Sequence, residues 1–220
     1  MRSLNHDIDP ERLAIRAGLV GPSIAVGAML LATVLAAPET FTWQTRALSD
    51  MGRTTATTFW LFNGGLIVGG LCGLPFLWYL WTTARNGLER VGIAIATLAV
   101  GGLIGVGLFF LGHTDYYLAT DMHGPSALTF FVLAPIAQWV IGTGQALEGE
   151  TRLSLASFWF GICQTVGWLG WLLWRAGATD PWHWFAIPET IAAIAFGGWI
   201  VLLALDARKA SFGNDETDSH

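Results

Sequence analysis

Lysine is almost missing from this chain: of 11 Lys+Arg in 220 residues the sole lysine is Lys209, which lies beyond the last apolar segment. No intramembrane amine is therefore available for a Schiff base, which excludes retinal-type pigment chemistry. The Gly-Lys pair of a phosphate-binding P-loop is missing too, and nucleotide hydrolysis goes with it. Charge of any sign is scarce, at 12%, and the net charge is -5 with no basic stripe, so nothing offers a nucleic-acid backbone a footing. Cysteine is limited to Cys72 and Cys163, both inside apolar stretches and in no CxxC spacing, which predicts buried thiols and no disulfide framework. Scarce lysine beside an acidic tail of Asp215, Glu216 and Asp218 fits a surface adapted to high salt, as in halophilic archaea.

What the chain has in quantity is apolar residues, 53% of the total, with a mean hydropathy of +0.52. Charge-free or nearly charge-free runs extend over Ala17 to Pro38, Thr54 to Ala84, Val91 to Gly112, Gly124 to Leu147, Leu153 to Trp174 and Phe185 to Leu205. Each provides the ~20 residues that cross ~30 Å of hydrocarbon. The expectation is an all-α, polytopic integral membrane protein of the cell membrane with six transmembrane helices. Residues 1–16 form a cytoplasmic segment, 17–206 the membrane domain and 207–220 an acidic cytoplasmic tail. A cleaved leader is the rival reading of the first run, since Arg12 and Arg16 precede it and Leu35-Ala36-Ala37 resembles a cleavage site. The run exceeds the ~7–15 apolar residues of a leader, and acids precede it.

Basic residues set the orientation. Arg2, Arg12, Arg16, Arg85, Arg90, Arg152, Arg208 and Lys209 fall on the side of the N-terminus, against Arg46, Arg53 and Arg175 opposite, which predicts both termini inside. Trp43, Trp60, Trp171, Trp174, Trp182 and Trp184 then gather at the outer interface, and Trp78, Trp81 and Trp159 at the inner one. The spacings Gly65 to Gly69, Gly69 to Gly73 and Gly101 to Gly105 predict close approach of helices two and three, and glycine-rich faces of this kind would also serve a homo-oligomer. Asn63, Gln138 and Gln164 lie within helices and are expected to form bundle-facing hydrogen bonds.

With this topology the polar chemistry collects outside. The segments are Leu48-Ser49-Asp50-Met51-Gly52 before helix two, Gly112-His113-Thr114-Asp115 to Asp121-Met122-His123-Gly124 between helices three and four, and His183 with Ile187-Pro188-Glu189 at the start of helix six. Ser49, Asp50, Asp115, His123, His183 and Glu189 are the candidate ligand-binding residues. His113, His123 and His183 are the candidate metal ligands, because zinc held for catalysis uses neutral imidazoles, often a carboxylate, and one open position for water. The spacing is neither HExxH nor HxxxH. Each segment also has a purely structural reading: Ser49 or Asp50 as a cap of helix two, Pro188-Glu189 as a first-turn proline and dipole-complementing acid, and the histidines as solvated loop residues. Haem ligation is disfavoured, because the histidines sit at helix ends and in loops instead of at matched depth on facing helices.

Leu48-Ser49-Asp50-Met51-Gly52, Phe62-Asn63-Gly64-Gly65-Leu66-Ile67, Gly107-Leu108-Phe109, Asp115, His123 and Ile187-Pro188-Glu189 together resemble the six-helix prokaryotic family filed as domain of unknown function 998, over nearly the whole chain. A looser similarity, on the Ser-Asp-x-Gly before helix two, is to the Frag1/DRAM/Sfk1 membrane proteins. The first resemblance implies fold and topology and supplies no catalytic residue; the second is associated with lipid organisation and trafficking. The segment from Gly112 to His123 is longer than the compact turn of the first family. Three functions compete: recognition of a lipid headgroup or small ligand by the outer cluster, metal-dependent lipid hydrolysis with zinc at the histidines, and small-molecule transport. Membrane lipids are the expected partners. Transport has least support, since the single intramembrane carboxylate lies near one end with no paired ion.

Overall fold

Asp9 starts the first helix: its side chain accepts a hydrogen bond from the Glu11 N–H at 3.0 Å, with Pro10 in the first helical position where its missing N–H costs nothing. The computed structural model describes residues 9–112, 121–177, 179 and 183–217, with side chains up to 211. These form six α-helices: α1 (Pro10–Leu35), α2 (Phe59–Thr83), α3 (Gly87–Leu108), α4 (His123–Leu147), α5 (Thr151–Arg175) and α6 (Ala186–Thr217). A short 3-10 helix, Leu48–Gly52, precedes α2. The all-helical expectation holds, but α1 begins well before the apolar run at Ala17 and α6 continues past Leu205. The boundaries drawn at 16 and 206 therefore fall within continuous helices.

The helices α1, α2, α3, α4 and α6 are long and apolar enough to cross a membrane. In α5 the length is there, at 25 residues, but Ser154, Ser157, Gln164 and Thr165 lower its hydropathy. The buried members of that set face inward. Gln164 donates from Nε2 to Gln138 Oε1 on α4 at 2.7 Å. Ser157 donates to Gln145 Oε1 at 2.9 Å and accepts from Trp199 Nε1 on α6 at 2.9 Å. Polar side chains on α5 thus serve helix association, where hydrocarbon offers no competing partner.

Each helix packs on the next in sequence, and α6 returns to α1, so the six close a ring. The main core lies inside it around Phe76, Phe130, Phe196 and Trp199, with Phe130 and Phe196 meeting edge to face at 5.4 Å. Glycine allows the closest crossings, though not where the spacing predicted. A Cβ on Gly69 would stand 2.7 Å from both the Ala25 Cβ and the Gly21 carbonyl oxygen of α1, and one on Gly65 would overlap Ala28 of the same helix. Gly105 abuts Ser126 of α4, while Gly101 meets nothing. The expected α2–α3 glycine seam is therefore an α1–α2 seam and an α3–α4 seam; α2 and α3 meet through Gly70 and Gly107 instead. Periodicity marks a small-residue face without saying which neighbour it meets.

Candidate functional site at the far end of the bundle

The end of the ring away from the chain termini is organised by the 3-10 helix. Asp50 accepts from the Ala47 N–H at 3.0 Å and from Arg53 Nε at 2.7 Å, so its carboxylate closes its own turn. Thr58 donates to the Met51 carbonyl at 2.9 Å, and Asn63 Nδ2, one turn into α2, donates to the Gly52 carbonyl at 2.8 Å. A Cβ on Gly52 would lie 2.5 Å from Asn63 Oδ1, which explains the glycine. The capping role considered for Ser49 or Asp50 at helix two is thus corrected: Asp50 caps the 3-10 helix, and Thr58 holds the N-cap position of α2.

Glu189, in the first turn of α6, crosses to this segment. Its Oε2 accepts from the Leu48 N–H at 2.7 Å, in a buried bond that links positions 141 residues apart. It therefore satisfies a backbone donor of another element, and this replaces the reading of Glu189 as a cap of its own helix. No partner for Oε1 exists among the described residues.

His123 opens α4. Its N–H donates to Asp121 Oδ1 at 2.9 Å, and its Nδ1 lies 2.8 Å from the Phe109 carbonyl oxygen at the end of α3. A carbonyl can only accept, so Nδ1 carries the proton, and in neutral imidazole Nε2 is then a lone-pair acceptor. Nε2 has no hydrogen-bond partner among the described residues, and neither has the Ser49 hydroxyl.

These groups converge. Ser49, His123 and Glu189 line one cavity of about 50 Å³, walled by Leu48, Phe62, Val106 and Phe131 among others. Each is more than nine-tenths buried, at 7%, 9% and 7% exposure. These unpaired atoms are not among the fully enclosed polar atoms of the described residues; they keep some accessible surface, so each can take a hydrogen bond from water or from a bound group. Met29, Leu66, Leu103, Phe130 and Ala193 also line a second cavity of about 50 Å³, almost wholly apolar, that continues into the ring.

The other sequence candidates fall elsewhere. His183 stacks on Trp174 with ring centroids 5.7 Å apart, and its carbonyl accepts from Trp171 Nε1 at 3.0 Å; it is not among the residues lining the cavity. His113 and Asp115 lie outside the described residues. Among the described residues no group of three or more His, Cys, Asp or Glu is arranged to hold a metal.

The model of a family described as "Protein of unknown function (DUF998)" matches residues 19–206. The chain belongs to the DUF998 family. No curated protein and no solved structure matches it.

At the terminal end of this DUF998 chain lies a second polar assembly that the sequence reading passed over. Glu89, at 6% exposure in the first turn of α3, accepts from Arg85 Nη2 at 2.7 Å and from the Arg85 N–H at 2.8 Å. Arg85 Nη1 reaches Glu150 at 2.9 Å, and Asn86 Nδ2 reaches the Gly144 carbonyl at 3.0 Å, tying the α2–α3 turn to the end of α4 and the start of α5. Beside them is the roomiest of the bundle's cavities described here, about 290 Å³, lined by Glu89, Glu150, Asp206 and Gln145. The signal was present in the sequence. Asn86-x-x-Glu89 is a capping pattern, and the Asn86 side chain does accept from the Glu89 N–H at 2.9 Å.

Proposed function

We propose that this member of the DUF998 family is a cell-membrane binding or sensing protein that takes up a lipid headgroup or small polar ligand at Ser49, His123 and Glu189. All six helices span the membrane, both termini are cytoplasmic, and the cavity opens on the extracytoplasmic side. One observation carries the reading: three side chains from three separate elements, each more than nine-tenths buried, line a single cavity, and among the described residues each has one still accessible polar atom without a protein partner.

Size restricts what enters. Two adjoining lobes of about 50 Å³ each are smaller than the ~150 Å³ that holds a benzene ring, so only a few heavy atoms are enclosed. A headgroup or the end of a small molecule fits there; a whole two-chain lipid does not. The vacant atoms are two acceptors and a hydroxyl, which favours a group bearing hydrogen-bond donors.

Metal-dependent lipid hydrolysis is the second reading. It draws on the His123 Nε2 lone pair and the Glu189 carboxylate on one cavity, the first as a metal ligand and the second as general base. Elemental analysis and lipid mass spectrometry of the purified protein separate the two. Co-purified lipid or small ligand that is lost in His123→Ala and kept in His6→Ala, without stoichiometric metal, is the expected result. Stoichiometric zinc released by His123→Ala would transfer the site to the hydrolase reading.

A further inference from the structure

Three acids among the described residues, Asp50, Glu89 and Glu189, are more than nine-tenths buried. Two of them have an arginine. Arg53 Nε donates to Asp50 at 2.7 Å, and Arg85 Nη2 donates to Glu89 at 2.7 Å. Glu189 has the Leu48 N–H on one oxygen and, among the described residues, no basic side chain within ion-pair distance. Outside them the sequence has one further Lys or Arg, Arg2, in the segment ahead of α1, and α1 begins at the opposite end of the bundle. His123 does not fill the role as neutral imidazole: its Nδ1–H is engaged by the Phe109 carbonyl, and its Nε2 accepts. Buried charges are normally paired, and water can hydrogen-bond a carboxylate without supplying a counter-charge.

From this imbalance we infer that the cavity of Ser49, His123 and Glu189 takes a primary ammonium group, carried by a short alkylamine or by an ethanolamine phospholipid headgroup; the inference rests on reading that cavity as a ligand site. An ammonium brings one positive charge and three N–H donors. The cavity meets it with three acceptors: Glu189 Oε1, His123 Nε2 and Ser49 Oγ. Its apolar wall includes the rings of Phe62, Phe130 and Phe131, side chains whose faces attract cations. A quaternary amine has the charge without the donors, and an alcohol has a donor without the charge, so each matches only half of the site. Hard metal cations take six or more oxygen ligands, and among the described residues no cluster of metal-binding side chains stands here. Carbon attached to the nitrogen is received by the adjoining apolar lobe, which shares Met29, Leu66, Leu103 and Ala193 with the polar one. That lobe is about 50 Å³, which limits the enclosed part to the amine and a few carbons.

The full chain in neutral detergent is titrated with n-butylammonium, n-butyltrimethylammonium, n-butanol and butyrate, with binding read by thermal shift. Phosphatidylethanolamine and phosphatidylcholine are compared as adducts in native mass spectrometry. Expected is that a primary ammonium probe binds about tenfold or more tightly than its trimethylated counterpart of equal charge. Glu189→Gln keeps an oxygen for Leu48 and removes the charge, and it should weaken that binding about tenfold or more. Ser49→Ala, the second variant, should weaken it several-fold, whereas Glu150→Gln, at the other end of the bundle, should leave it unchanged. Butylammonium bound without retention of phosphatidylethanolamine assigns the group to a soluble amine; phosphatidylethanolamine retained over phosphatidylcholine assigns it to a headgroup. Equal binding of the trimethylated forms, or binding undiminished in Glu189→Gln, would overturn the ammonium assignment. Butanol or butyrate bound in preference, and lost in His123→Ala, would overturn it while leaving the cavity a ligand site. No probe bound by the parent chain overturns it as well, and the lipid mass spectrometry described above then decides the broader reading by itself.

Discussion

Glu189 shows how one side chain can serve the fold and still be left with chemistry to spare. Its Oε2 satisfies the buried Leu48 N–H, and its other oxygen faces the cavity. Glu189→Gln keeps an amide oxygen for Leu48 and should lower stability by ~1 kcal/mol or less. Glu189→Leu leaves a buried backbone donor without an acceptor and should cost about 1–3 kcal/mol. Thermal unfolding of the two variants in detergent checks the difference, and equal melting temperatures would show the Leu48 bond to be dispensable. Ser49, His123 and Glu189 were legible in the sequence because each is a polar residue at the boundary of an apolar run, and the alternation of six runs puts all three boundaries on one side. Glu89 was legible only as the partner of Asn86 in a capping pattern; flanked by Arg85 and Arg90 it looks like one more solvated charge, and only the fold shows that Gly144 of α4 packs against it.

At the scale of elements, composition located the helices, while their ends and neighbours needed local chemistry. Charge-free runs define the spans because hydrocarbon excludes charge, but a helix continues wherever its first N–H groups find an acceptor, as Asp9 provides for α1. Glycine spacing likewise gave the right faces and the wrong partners. The seams predict opposite responses to one methyl group. Gly69→Ala drives a Cβ into the Ala25 methyl and the Gly21 carbonyl and should destabilise by about 1–3 kcal/mol as α1 and α2 are forced apart. Gly101→Ala, where no atom lies within 4 Å, should be neutral or stabilising by up to about 1 kcal/mol. Melting temperatures in one detergent decide it, and a Gly69 variant as stable as the parent would mean that the α1–α2 crossing is not tight.

For the molecule as a whole, the distribution of arginine predicts one orientation, and that prediction has a direct test. In a background without Cys72 and Cys163, Glu39→Cys should react with an impermeant thiol reagent applied to intact cells, and Gly87→Cys should react only after the membrane is opened. Both positions are exposed, and a Cβ on Gly87 meets nothing, so access alone is read. The reverse pattern would invert the molecule and move the Ser49, His123 and Glu189 cavity to the cytoplasmic face.

The bond between Leu48 and Glu189 also has a temporal side. Ribosomes deliver this chain from its N-terminus, and the two residues are 141 positions apart, so the acceptor emerges only when nearly all of the protein has been made. Until the sixth helix inserts, the turn before α2 lacks its acceptor and the far-end cavity lacks a wall. A nascent or truncated chain can thus have its earlier helices in place and still have no site. Completion of synthesis is built into the site as a condition of its existence.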